Sequence, residues 1–191
     1  MYALVSKSRM VVWLISFVFA LLVTPSQAAK PWQTLEDCTL VDNWRNDGDS
    51  FKVNWNGGEL TIRIYFADTP ESDFQYRDRT RAQAEYFGIT DEQAVEVGKM
   101  AKAYTAEVLK DGFSVRTRWQ GVFGGNKAIR KYGTVTTKEG MLAELLVSNG
   151  LARIHGMGIG GKTWEEVKIL KALEAEAKEE GRGAWGMGEA D

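Results

Sequence analysis

The run Leu60-Thr61-Ile62-Arg63-Ile64-Tyr65-Phe66 constrains the fold more than any other segment after residue 28. Its β-branched and aromatic residues suit a half-buried pleated surface, yet an arginine sits at its centre. A long cation inside the most apolar strand of that region requires an anionic partner or ligand. Asn56-Gly57-Gly58 precedes the run, and Asn-Gly is a strong two-residue hairpin signal, so Ser50 to Trp55 is the expected partner strand. Ala67-Asp68-Thr69-Pro70 follows, and proline ends the pairing. Asp49 and Asp68 therefore lie at the ends of connected strands, where they could meet and hold a hard cation. Arg63 would point at whatever that cation binds.

The remaining pattern divides into a strand-rich half and a helix-rich half. Cys38 to Val41, Phe113 to Trp119 and Arg130 to Thr137 read as further strands, with Gly121 to Gly125 as a loop. Ser72 to Gly88 is polar and reads as a long loop, whose Arg77, Arg79 and Arg81 could contact backbone phosphates or form a solvated charged surface. Thr90-Asp91-Glu92-Gln93 is a capping box opening a helix whose face is Val97, Ala101, Tyr104 and Val108, ending at Asp111-Gly112. Met141 to Asn149 is a short apolar helix closed by Gly150. Thr163-Trp164-Glu165-Glu166 caps a last helix running to about Glu180. Strands of this length with helices interspersed suit a small antiparallel barrel with helices packed on it.

Residues 1–28 read as an export signal: Lys7 and Arg9, then the stretch Met10–Val23, apolar but for Ser16, then Ser26-Gln27-Ala28 as a cleavage site. The apolar stretch is short for a membrane span, which needs ~20 residues. An uncleaved anchor is the alternative. The expected domains are the signal over 1–28 and one folded domain over 29–191, secreted or periplasmic. That domain carries 22 basic and 26 acidic residues, a balance that leaves nucleic-acid binding to local basic patches. Cys38 is the only cysteine and His155 the only histidine, which excludes an intramolecular disulfide and a multi-His or Cys-based metal site. Any metal must be held by oxygen, which favours Ca²⁺ or Mg²⁺.

Two other motifs fail on context. Gly156 to Thr163 fits the phosphate-loop pattern G-x-x-x-x-G-K-T. However, only 28 residues follow Thr163, too few for the parallel sheet and aspartate-bearing strand such a site needs. The acidic turn Asn43 to Asp49 would place Arg45 at a ligand position of an EF-hand and Asn54 where a bidentate Glu is required.

DGDSFKV (47–53) followed by TIRIYFADTPES (61–72) resembles the metal and catalytic core of the staphylococcal nuclease family, whose D-G-D-[TS]…R…D-T-P-E pattern has the same spacings. The resemblance extends more weakly over about 36–186, through MLAELLVSNGLARI and Thr163 to Trp185. It implies an α+β fold, a five-stranded OB-type β-barrel with three helices. It implies that Asp49 and Asp68 ligate Ca²⁺ through carboxylates and Thr69 through its carbonyl. Glu71 would orient or deprotonate the attacking water, and Arg63 would clamp the scissile phosphate.

The family also has a second arginine just after Tyr-Gly, where this chain has Thr134 instead. Counting back eleven residues from Met141 gives Arg130, which leaves a strand of normal length to the turn, and the role is assigned there. Lys127 and Tyr132 are the candidate substrate contacts, each equally readable as a surface residue. The expected activity is Ca²⁺-dependent hydrolysis of DNA and RNA, preferably single-stranded, with little sequence preference and 3′-phosphate products. The expected state is a monomer with no stable protein partner and no membrane contact once the signal is removed. The alternative is an OB-fold module that binds nucleic acid or protein without cleaving.

Overall fold

The computed structural model describes residues 30–123, 129–156 and 164–188. The proposed signal, Lys127 and Met157 to Thr163, the last helix cap included, lie outside the described residues. Five strands close a barrel in the order β1-β2-β3-β6-β5: β1 Gln33–Leu40, β2 Ser50–Trp55, β3 Gly58–Ile64, β5 Phe113–Phe123 and β6 Ile129–Thr136. The two-residue strands β4 Ala67–Asp68 and β7 Arg153–Ile154 pair with each other outside it. Inside the barrel, Leu35, Phe51, Val53, Ile62, Val115 and Val135 are almost fully buried, alternating with outward residues as a barrel wall requires. Cys38 is buried among them.

The hairpin β2–β3 turns at Asn56 and Gly57, both at positive φ, in register Ser50↔Arg63 to Trp55↔Gly58. One closure differs from the antiparallel expectation: β3 and β6 run parallel, with Arg63 beside Tyr132. The chain between them crosses over two helices and β5, long enough to return in the same direction.

Four α-helices rather than three surround the barrel among the described residues: α1 Arg77–Phe87, α2 Asp91–Leu109, α3 Leu142–Ser148 and α4 Trp164–Glu179, followed by a 3₁₀ turn at Gly183–Gly186. The capping box of α2 forms as expected, Thr90 Oγ1 accepting from Gln93 N–H and Gln93 returning the bond. The additional helix is α1, where the sequence reads as a loop. Its buried positions Thr80, Gln83, Ala84 and Phe87 have helical spacing, but two of the four are polar. The apolar period is thereby hidden.

Candidate functional site

The hairpin and one strained residue bring the acidic groups together. Asp49 directly precedes β2, and its carbonyl accepts from Ile64 N–H at 2.9 Å, which fixes it beside Arg63. Phe66 has φ +68°, a left-handed conformation that costs a non-glycine residue about 1–2 kcal/mol. It ends the alignment of the chain with the barrel and turns Ala67–Asp68 onto β7, where Asp68 faces Arg153. Strain of this kind persists where surrounding contacts over-determine it. Here His155 N–H donates to the Phe66 carbonyl.

Gly48 and Gly98 then let α2 close on both turns. A Cβ at Gly48 would lie 2.8 Å from Thr69 Cγ2 and 2.9 Å from Ala101 Cβ. One at Gly98 would lie 2.3 Å from the Glu71 carbonyl oxygen.

Arg63 bridges the two aspartates. Its Nη1 donates to Asp49 Oδ1 at 2.7 Å and its Nη2 to Asp68 Oδ1. The remaining Asp49 oxygen accepts from Thr69 N–H at 2.9 Å. Both aspartates are almost fully buried, as are Thr69 and Glu71. The arginine's requirement for anionic partners, read from β3 alone, is met by the two residues the resemblance singles out.

Three further residues join this group: Gln83, then Arg79, which the sequence offers only as one of three loop arginines that could contact backbone phosphates, and Arg153. Gln83, wholly buried on α1, donates from Nε2 to Asp68 Oδ2 at 3.0 Å and to the Thr69 carbonyl at 2.8 Å. Its Oε1 accepts from Glu71 N–H at 3.0 Å. Arg79, one helical turn earlier, pairs with Asp68 Oδ1 at 2.9 Å and Glu71 Oε1 at 3.0 Å. Arg153 of β7 donates from Nε to Asp68 Oδ2 at 2.8 Å. The signal for the first two is the i, i+4 spacing Arg79/Gln83, usable only once the segment is known to be helical.

The electrostatics differ between the acids. At Asp68 burial pushes the carboxyl up, but Arg63, Arg79, the Gln83 amide and Arg153 outweigh it and bring it down to about 2. Burial pushes Asp49 up against the pull of Arg63. Burial also raises Glu71, against Arg79, with the charges of Asp49 and Asp68 adding to the rise. Asp47 is pushed up to about 7 by burial and then by the charges of Asp49 and Glu71. Arg63 is held more firmly protonated, Asp49 and Asp68 outweighing its desolvation. A low carboxylate near a raised one is the pairing that separates an anionic ligand from a proton acceptor.

The oxygen set of Asp49, Asp68 and the Thr69 carbonyl is the kind a hard cation takes. Thr69 Oγ1 adds a buried hydroxyl with no hydrogen-bond partner among the described residues. Among the described residues no three carboxylate, imidazole or thiol side chains are arranged to hold a metal ion by themselves, so a bound cation would complete its shell with the carbonyl and water. In kind, the residues fit Ca²⁺.

The other expected residues lie further out. Tyr132 stands beside Arg63 on β6, but its ring is half-buried and stacked on Tyr65, with centroids 5.1 Å apart and planes at 21°. Arg130 lies on the same outer face, two residues before Tyr132, roughly 7 Å along the strand. It is half-buried and makes no ion pair among the described residues. Thr134 lies two residues beyond Tyr132, opposite Arg116. His155 is exposed at the end of β7.

A family model described as staphylococcal nuclease homologue matches residues 61–187, about two thirds of the chain. The matched span contains Arg63, Asp68, Thr69, Glu71 and Arg130, and begins after Asp49.

Proposed function

This chain belongs to the staphylococcal nuclease family, and from that premise we propose that it hydrolyses phosphodiester bonds of DNA and RNA, with single strands preferred. The observation that carries this reading is the convergence of Asp49, Arg63, Asp68 and Glu71 on one buried cluster. Asp49 and Asp68, with the Thr69 carbonyl, would hold Ca²⁺, and Arg63 sits between the two carboxylates. Its guanidinium has five N–H donors, more than two carboxylate contacts use, so it can also bind a phosphate oxygen. Glu71 takes the proton from the attacking water, and its raised affinity for protons suits that task. The water oxygen bonds to phosphorus, the 5′ oxygen leaves and takes up a proton, and a 3′-phosphate remains. Bound Ca²⁺ would supply charge neutralisation for the phosphorane-like transition state. Arg130 is the second phosphate-facing arginine in this reading, with Lys127 and Tyr132 as outer substrate contacts.

The site does this chemistry as a monomer, outside the cytoplasm, after residues 1–28 are removed. Sequencing the N-terminus of the exported protein tests that part: a start near Ala29 is expected, and Met1 contradicts it. The activity is tested by incubating the purified protein with end-labelled single-stranded DNA and resolving the products. Fragments with 3′-phosphate ends support the reading. Fragments with 3′-hydroxyl ends contradict the assigned direction of attack.

A further inference from the structure

The basic helix α1 carries three arginines within five residues, and they go to different places. Arg77 lies over the Phe74 ring, 5.5 Å from its centroid, and Arg81 reaches Asp91 at 3.4 Å on the surface. Arg79 alone turns into the acidic cluster. Its two Nη atoms contact two different acids, Asp68 and Glu71, so the guanidinium spans a residue assigned to cation binding and the one assigned to the water.

Three features separate Arg79 from an ordinary structural ion pair. Its side chain is 43% exposed, against 2% for Asp68 and 10% for Glu71, so it forms the solvent side of the cluster. Asp68 is already held by Arg63, Arg153 and Gln83, so its burial does not depend on Arg79. Arg79 and Arg63 also converge on the same oxygen, Asp68 Oδ1. Two guanidinium groups sharing one acceptor atom stand side by side, and planar forks so placed can bind one phosphate from two directions.

We propose that Arg79 is a substrate-binding residue of this site, an arginine delivered by α1 that exchanges its Glu71 contact for a non-bridging phosphate oxygen of the bound strand. The inference rests on the nuclease reading above and deepens it. In the free protein Arg79 covers Glu71. When a phosphodiester enters, the anionic oxygen replaces the carboxylate on Arg79, and Glu71 is released to accept the proton of the water. Substrate binding and exposure of the base are then one event, and the recognised group is the phosphate, independent of the base it carries.

The test uses the full chain with Arg79→Ala and Arg79→Lys. Binding of a fluorescent single-stranded oligonucleotide is followed in EDTA across a salt series, and kcat and KM are measured with Ca²⁺. For Arg79→Ala, losing one phosphate contact should lower the slope of log affinity against log salt by about 0.7. Loss of a transition-state donor should reduce kcat/KM by roughly 10²-fold. Arg79→Lys keeps the charge but not the fork. It should retain the salt slope with kcat still about tenfold down, the size of one lost strong contact. A thermal midpoint close to wild type is expected for both, because half-exposed pairs contribute little to folding. An unchanged salt slope and unchanged kcat/KM in Arg79→Ala overturn the proposal, whatever the midpoint does. If the wild type itself does not cleave, the nuclease reading fails, and the salt slope alone then decides Arg79.

Discussion

Arg63 donates to Asp49 at 2.7 Å across one hairpin, with the Asp49 side chain almost entirely out of water and that of Arg63 largely so. The sequence of β3 demands an anionic partner or ligand for Arg63, and Asp49 is one of the two aspartates that meet the demand. Removing one member of a buried pair leaves an uncompensated charge, so Arg63→Leu should destabilise the protein by about 3–5 kcal/mol. Urea denaturation measures this. Ca²⁺ should recover part of the loss, because in the proposed reading a bound divalent cation would neutralise the same two aspartates. Identical loss with and without Ca²⁺ would show that those aspartates do not bind it.

Gly98→Ala tests how tightly α2 is fitted to the site. The added methyl would lie 2.3 Å from the Glu71 carbonyl oxygen and 2.7 Å from that of Pro70. Both obstacles are backbone and cannot rotate away. Overpacking of this kind costs about 1–3 kcal/mol, more than the ~1 kcal/mol that alanine gains over glycine in a helix. Displacement of Glu71 should lower kcat well below the melting temperature, in protein that is still folded. Gly58→Ala, whose Cβ would come no nearer than 3.6 Å to another residue, should leave kcat unchanged.

The pH dependence of stability without metal has two opposing limbs. Asp68 is brought from 3.8 to about 2 in the folded protein, so the unfolded chain binds more protons between those values. Stability should fall by on the order of 2 kcal/mol as pH drops through that window. Asp47 is raised from 3.8 to about 7, so the folded protein holds a proton that the unfolded chain has lost. Stability should therefore also fall as pH rises from about 4 to about 7. Thermal melts in EDTA from pH 3 to 8 should peak near the acid end of that range, at about pH 4. Asp47→Asn should flatten the limb above the peak. A melting temperature that rises from pH 5 to pH 7 would contradict the account.

Arg130→Ala separates the arginine on the barrel from the arginine on the helix. Arg130 makes no ion pair among the described residues, so its loss should change stability by no more than about 0.5 kcal/mol. If it faces the phosphate, kcat should fall by at least about 10²-fold. Unchanged cleavage by Arg130→Ala, measured beside Arg79→Ala, would remove it from the site.

The parts legible in the sequence are those where one residue's need dictates its surroundings. Arg63 in an apolar strand required acids, and Asn56-Gly57 fixed the register that brings Asp49 to it. The capping box at Thr90 set the start of α2. What stayed hidden depends on long-range packing. Helix α1 buries Thr80 and Gln83 as well as Ala84 and Phe87, and polar residues on a buried face carry no hydropathy signal. Gln83 is tolerated there only because Asp68, Thr69 and Glu71 satisfy it, and those partners lie more than ten residues away. Arg153 is brought to Asp68 by a two-residue strand pair that no periodicity marks. The parallel pairing of β3 with β6 likewise follows from the crossover and not from either strand's own residues.

The most direct measurement of the central claim is cleavage of fluorescent single-stranded DNA by the purified protein in Ca²⁺ and in EDTA, with Glu71→Gln alongside. The account predicts rapid cleavage in Ca²⁺, loss of activity in EDTA, and a fall of about 10²–10⁴-fold in the variant, the range general-base catalysis supplies. A folded wild-type protein that binds the strand but leaves it intact in Ca²⁺ would contradict it.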